Sequence, residues 1–161
     1  MDELEKWAVA FDQKQVPWIG LAARDSLRLE AGFPLYGHEL SLSITPVQAG
    51  LSWAIGWDKE NFYGADALRK EKDTEAENCL IHYLALDRRI PRDGCQILDS
   101  DDQVVGTVLS GGYSPLHKKP MGTALVQKVA FINRFDSRWH ALLRNKKIPI
   151  DIGLPALKRI P

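Results

Sequence analysis

The sequence predicts an α+β fold, helical in its first half and built in its second from several short strands that close into a small barrel or sandwich. Three observations carry this. Apolar residues recur at helical spacing near the N-terminus, and from Cys79 onward they come instead in short runs split by turn residues. Between the two lies a polar, acidic stretch, residues 73–78, where the composition changes. The domain boundary is read there, giving segments 1–72 and 73–161 with a hinge at the junction.

In residues 2–13, Leu4, Trp7, Ala8 and Phe11 share one face and Glu3, Glu5, Lys6 and Asp12 occupy the others, the pattern of an amphipathic helix. Pro17 ends the following connection and Gly20 opens a second helix over residues 21–31, which Gly32 closes. Its predicted apolar stripe is Leu21, Leu27 and Ala31, with Arg24 and Arg28 one turn apart. Thr45, Pro46 and Gln48 supply an N-cap hydroxyl, a first-turn proline and a reciprocal amide, a capping box that predicts a short helix. Gly50 and Gly56 bracket Trp53-Ala54-Ile55, which reads as a strand, and residues 64–72 read as a charged helix.

Beyond Cys79, residues 80–86, 96–98, 104–109, 124–129, 139–143 and 148–152 read as strands. Asp99-Ser100-Asp101-Asp102 is a hairpin signal. Ser110-Gly111-Gly112-Tyr113-Ser114 also reads as a turn, since it has neither the lysine nor the helix start of a phosphate-binding loop.

Acidic and basic residues number 21 each, so no global field favours nucleic acid, and the pairs Lys118-Lys119 and Lys146-Lys147 read as solvated loops. The long uncharged run between Glu39 and Asp58 is broken by Pro46, Gly50 and Gly56 and fails as a membrane span. No secretory signal is recognised. Cys79 and Cys95 lack zinc or redox spacing and read as buried free thiols, with a disulfide left open; a cytoplasmic location is expected. His38, His82, His117 and His140 are scattered, without metal-ligand spacing.

The densest polar constellation is residues 23–30, where Arg24 and Arg28 share a face, as do Ser26 and Glu30. It fits a solvated helix surface. It also fits a sharper reading, in which one arginine points across a cleft as a bidentate donor for a ligand carboxylate.

The segment Gly20-Leu21-Ala22-Ala23-Arg24-Asp25-Ser26-Leu27-Arg28-Leu29-Glu30-Ala31-Gly32, followed by Leu35-Tyr36-Gly37, resembles the signature of glycine cleavage T-proteins, the aminomethyltransferases. The resemblance continues in the family's order through Thr45-Pro46-Val47-Gln48-Ala49-Gly50-Leu51, Trp53, Asp58-Lys59, Phe62, Gly64 and Ala67-Leu68. It resumes at Arg92-Asp93-Gly94, Gly106-Thr107-Val108, Ser110-Gly111 and Ser114-Pro115-Leu116, so it covers nearly everything after residue 15.

The resemblance implies subdomains around a folate-binding hole, the last of them a small β-barrel, with residues 1–72 the end of the folate-binding domain. It implies tetrahydrofolate as cofactor and a lipoyl-carrying H-protein as partner. Arg24 matches the family arginine that contacts folate, Arg92 the arginine that reaches from the barrel toward the active site, and Phe33 an aromatic position against folate that core packing explains equally well. The implied reaction moves a methylene unit from the aminomethyl-lipoyl arm to tetrahydrofolate and releases ammonia. The family's catalytic aspartate and pterin-reading glutamate have no match here, so no catalytic residue is assigned and the chain alone is expected to be inefficient. A separate N-terminal half is then an expected partner. Ala22 stands where the family has glycine, and Leu154-Pro155-Ala156 replaces Leu-Pro-Phe. The chain also stops before a family arginine in the tail. Two alternatives stay open: a non-catalytic folate-binding or interaction module, and a folate-dependent demethylase relative. Nothing in the sequence suggests a flavin domain, and the cysteine motif of the folate proteins that assist iron-sulfur enzymes is replaced by Glu60-Asn61-Phe62-Tyr63-Gly64.

Overall fold

A computed structural model of the chain describes residues 2–132 and 138–153. The departures noted at residues 154–156 and at the C-terminus lie outside the described residues. Helix α1 (Glu3–Gln13) starts at Asp2, whose side chain and that of Glu5 form a capping box. Helix α2 (Leu21–Ala31) starts at Gly20 and stops at Gly32, whose φ of 77° is the left-handed conformation expected of a glycine cap.

Thr45 and Gln48 make the predicted box, with the Gln48 N–H donating to Thr45 Oγ1 at 3.2 Å and the Thr45 N–H donating to Gln48 Oε1 at 3.3 Å. The helix that should follow does not propagate. Gly50 takes a φ of 73° and ends the segment after one turn, too few residues to offset the cost of nucleation. The predicted strand at Trp53-Ala54-Ile55 is also absent: Ser52–Ala54 is a 3₁₀ turn, and Trp53 is exposed. Helix α3 (Ala65–Thr74) follows.

The second half is a closed antiparallel barrel of strands β1 (Asn78–Ala85), β2 (Gln96–Leu98), β3 (Val104–Ser114), β4 (Lys119–Gln127), β5 (Trp139–Leu143) and β6 (Lys146–Gly153), in the order β1-β4-β3-β2-β5-β6. A short helix α4 (Lys128–Ile132) follows β4 where the sequence suggested more strand. The β2–β3 hairpin falls at Asp99–Asp102, as expected. The Asp99 carboxylate accepts from the N–H groups of Asp101 and Gln103, both at 2.9 Å.

Alternation explains the core. In β6, Ile148 and Ile150 point inward while Pro149 and Asp151 are exposed, and Ile81, Tyr83, Ile97, Val108, Val126 and Trp139 fill the same interior. Strand β4 is different, with continuous burial from Pro120 to Ala124. Its outer face is covered by α2, where Leu29 meets Met121 and Leu84. The predicted stripe of α2 is therefore wrong. Leu21 and Leu27 are exposed, and the helix seats itself through Leu29, Glu30 and Arg28. Cys79 and Cys95 are free thiols, half-buried against the barrel core. No helix among the described residues is long and apolar enough to cross a membrane.

Because Trp139 is 2% exposed and packed inside the closed barrel, Trp139→Ala should lower stability by about 3–5 kcal/mol, whereas Leu42→Ala at a fully exposed site should change it by less than about 0.5 kcal/mol. Urea unfolding followed by far-UV circular dichroism measures both.

Candidate functional site

The outer face of β3 and β4 carries a buried ion pair. Glu39 is 0% exposed, and one carboxylate oxygen accepts from Arg28 Nη1 at 3.0 Å and from the Leu35 N–H at 2.9 Å. Its other oxygen accepts from the Thr123 hydroxyl at 2.5 Å. Arg28 is used on all sides: Nε donates to Asp25 at 2.7 Å and Nη2 to the Ser110 hydroxyl at 3.0 Å. Burial pushes the Glu39 carboxyl up, but the hydroxyls of Thr123 and Ser110, the Leu35 N–H and the Arg28 guanidinium outweigh it and hold its pKa below the usual value.

A break in strand geometry makes this possible. Residues two apart on a regular strand share a face, so Ser110 should point into the barrel with Val108. The register shifts between Val108 and Ser110. Val108 pairs with Ala124 inside, and Ser110 pairs with Thr123 outside, beneath Glu39. The glycine-rich segment predicted as a turn is thus the bulged half of β3. A second clasp lies farther along, where the buried Glu30 accepts from the Ser114 hydroxyl at 2.6 Å and the Leu116 N–H at 3.1 Å.

Next to the ion pair is a cleft of about 450 Å³ lined by the first turn of α2 (Leu21, Ala22), by Arg24, and, across from the helix, by Arg92 and Asp93. Arg24 and Arg92 are 68 positions apart in sequence and both exposed, and the fold brings them to the same cleft. Neither guanidinium has an ion-pair partner among the described residues. The start of α2 has no side-chain cap, so its N-terminal N–H groups add to the positive character of this wall. His38 also lines it. Its Nδ1 lies 2.9 Å from the Leu109 carbonyl and donates to it, which makes Nε2 the acceptor in the neutral ring.

Close packing seats the turn that carries Arg92. The Cys95 N–H donates to the Arg92 carbonyl at 3.1 Å, and Gly94 has a φ of 83°. Tyr83, its hydroxyl pKa raised by burial, donates to the Pro91 carbonyl at 2.8 Å. At Gly111 a Cβ would lie 1.8 Å from that same carbonyl oxygen, so no other residue lets the turn approach β3 this closely.

Phe33 lies on the far side of Arg24, in an adjoining apolar groove of about 520 Å³ with Ile19, Leu27 and Pro34. It is 68% exposed, so the core explanation of this residue does not hold. Sequence reasoning missed Glu39, Ser110 and Thr123. An acid at the edge of a long uncharged run was the available signal for Glu39; nothing in the sequence marked the bulge.

The fold and the site together define an antiparallel six-stranded barrel domain with a helix strapped across it, presenting an arginine-lined cleft suited to a carboxylate. The model for the GCVT N-terminal domain matches residues 6–59, and that for the glycine cleavage T-protein C-terminal barrel domain matches residues 81–157. The chain belongs to the glycine cleavage T-protein family. It is 46% identical over 107 residues to an aminomethyltransferase of Thermoanaerobacter pseudethanolicus, covering 66% of this chain and 29% of that one. It is 39% identical over 141 residues to an aminomethyltransferase of Corynebacterium aurimucosum, covering 87% of this chain and 38% of that one. The crystal structure of glycine cleavage system aminomethyltransferase T from Bartonella henselae superposes with a TM-score of 0.82 at 31% identity, over 93% of this chain and 43% of that one. The chain thus spans about 29–43% of the length of these relatives.

Since the folded state holds Glu39 below its ordinary pKa of 4.5, its contribution to stability is complete above that value and is lost as pH falls through the lowered pKa. Glu39→Gln should cost about 1–3 kcal/mol near neutral pH by leaving Asp25 as the one carboxylate on Arg28 among the described residues, and should flatten this part of the acid dependence. Thermal unfolding of both proteins from neutral pH to about pH 3 checks the magnitude and the sign.

Proposed function

We propose that this chain forms the carboxylate-binding wall and barrel of a tetrahydrofolate-dependent aminomethyltransferase of the glycine cleavage system, in the cytoplasm. The observation that carries the reading is the meeting of Arg24 and Arg92 at one cleft beside the uncapped start of α2. The donor set fits the group. The tail of tetrahydrofolate ends in carboxylates, for which two guanidinium groups without an ion-pair partner among the described residues and a helix N-terminus are suitable partners. Of the two acids at the cleft, Asp25 is already engaged by Arg28. Phe33 offers an aromatic surface on the other side of Arg24.

In this reading tetrahydrofolate, when bound, supplies the nitrogens that accept the one-carbon unit from the aminomethyl-lipoyl arm of the H-protein. The residues of this chain bind and orient. Arg24 and Arg92 fix the tail, while Arg28, held by Glu39, Asp25 and Ser110, keeps α2 and therefore Arg24 at a set distance from the barrel. Orientation alone does not move protons at the reacting nitrogens, and no carboxylate of this chain is assigned that role. Efficient transfer therefore requires the N-terminal part found in the longer relatives, whether on the same polypeptide or a separate one. The boundary between residues 72 and 73 is proposed as the junction between the folate-binding part and the barrel.

Titrating tetrahydrofolate against the fluorescence of the five tryptophans tests this, for the wild type and Arg24→Ala, with and without a supplied N-terminal half. Saturable quenching, weakened roughly tenfold or more by Arg24→Ala, is the expected result, because a hydrogen bond to a charged group contributes about 1.5–3 kcal/mol. Absence of binding under both conditions would remove the assignment.

A further inference from the structure

His38 lines the same cleft as Arg24 and Arg92, and the proposed reaction gives it no task. Its residue is half-buried, and Nδ1 donates to the Leu109 carbonyl at 2.9 Å, which leaves Nε2 as a hydrogen-bond acceptor in the neutral ring. Among the described residues Nε2 has no hydrogen-bond partner, and the buried polar atom left unpartnered there is His140 Nδ1, so His38 Nε2 is open to solvent. The backbone that carries the ring is fixed at the next residue, because Glu39 is held by Arg28, the Leu35 N–H and Thr123.

An acceptor is out of character for this wall. The guanidinium groups of Arg24, Arg28 and Arg92 can only donate, and the uncapped start of α2 adds further N–H groups. Asp25 is held by Arg28, and Ser110 is bonded to Arg28 and Glu39. Asp93 also lines the cleft and can accept, but its charge repels an incoming carboxylate. His38 Nε2 is then a neutral acceptor set among donors. Such an atom gains nothing from a carboxylate oxygen and is matched by an N–H on the same ligand.

We propose that His38 Nε2 accepts the N–H of an amide bonded next to the ligand's carboxylate, which makes the cleft selective for an N-acyl amino acid over a bare carboxylate. The inference rests on the functional reading above. In tetrahydrofolate an amide joins the aminobenzoyl group to glutamate, and its nitrogen is bonded to the carbon that bears a carboxylate. A ligand whose carboxylate is held by Arg24 and Arg92 therefore brings this N–H to the same wall. A ligand that cannot donate there leaves Nε2 without a partner and forfeits one neutral hydrogen bond.

The test compares tetrahydrofolate with its ester analogue, in which oxygen replaces the tail amide N–H, by fluorescence titration of the full chain under the conditions in which tetrahydrofolate binds. The wild type should bind the amide roughly 3- to 10-fold more tightly, the range of one neutral hydrogen bond. In His38→Phe the amide should keep no more than about a twofold advantage, whereas a merely structural role for the ring would weaken both forms alike and preserve the preference. The proton–nitrogen correlation spectrum of the histidine rings reads the same contact in the wild type, without a variant. The His38 Nε2 resonance should shift on adding the amide form and stay in place with the ester. Equal affinity of the wild type for the two forms, a preference that survives in His38→Phe, or an Nε2 resonance that responds alike to both overturns the proposal and leaves the functional reading intact. Failure of both forms to bind overturns the functional reading, and this proposal with it.

Discussion

The contact between Arg28 and Glu39 is the constraint on which the rest of the site depends. It joins three pieces of chain that are distant in sequence: helix α2, the loop of residues 35–40, and the β3–β4 face through Ser110 and Thr123. A buried carboxylate is stable only when its lone pairs are met, and here two hydroxyls, one backbone N–H and a guanidinium meet them. Removing any one partner leaves a desolvated charge, so the network specifies one position for the helix where a purely apolar contact would tolerate sliding. Buried ion pairs seldom add much net stability. Their value here is positional, because Arg24 sits one turn from Arg28 on the same helix.

Much of this architecture was legible in the sequence. Gly20 and Gly32 bracket α2 as predicted, because glycine at both ends leaves the intervening residues as the only helical stretch. The β2 and β5 boundaries were also read directly, since turn residues flank short apolar runs. Two of the failures share a cause: Trp53-Ala54-Ile55 and the Leu21/Leu27 stripe are places where local pattern was asked to predict tertiary partners. The helix expected after the Thr45 capping box failed for a local reason. The box formed, but Gly50 stopped it. The stripe exists, but the helix turned its polar side to the barrel because Glu30 and Arg28 find partners there that solvent would otherwise provide.

The site was legible in part. Resemblance drew attention to Arg24, Arg92 and Phe33, and the fold places the first two at one cleft and the third beside it. The residues that position them escaped notice because a bulge cannot be read from side-chain pattern: Ser110 and Val108 are two apart and ought to share a face. Likewise Gly111 looked like a turn glycine, while its role is to lack a Cβ where the Pro91 carbonyl approaches. Trp7, Trp18, Ile19, Leu21 and Phe33 leave an extensive apolar surface exposed.

The central claim is that two arginines from opposite sides of the cleft act on one ligand tail. A double-mutant cycle of Arg24→Ala and Arg92→Ala on tetrahydrofolate affinity addresses it most directly. The account predicts coupling, with the double variant losing less than the sum of the single losses by about 0.5–3 kcal/mol. Losses that simply add, within about 0.5 kcal/mol, would mean the two side chains act independently and would contradict it.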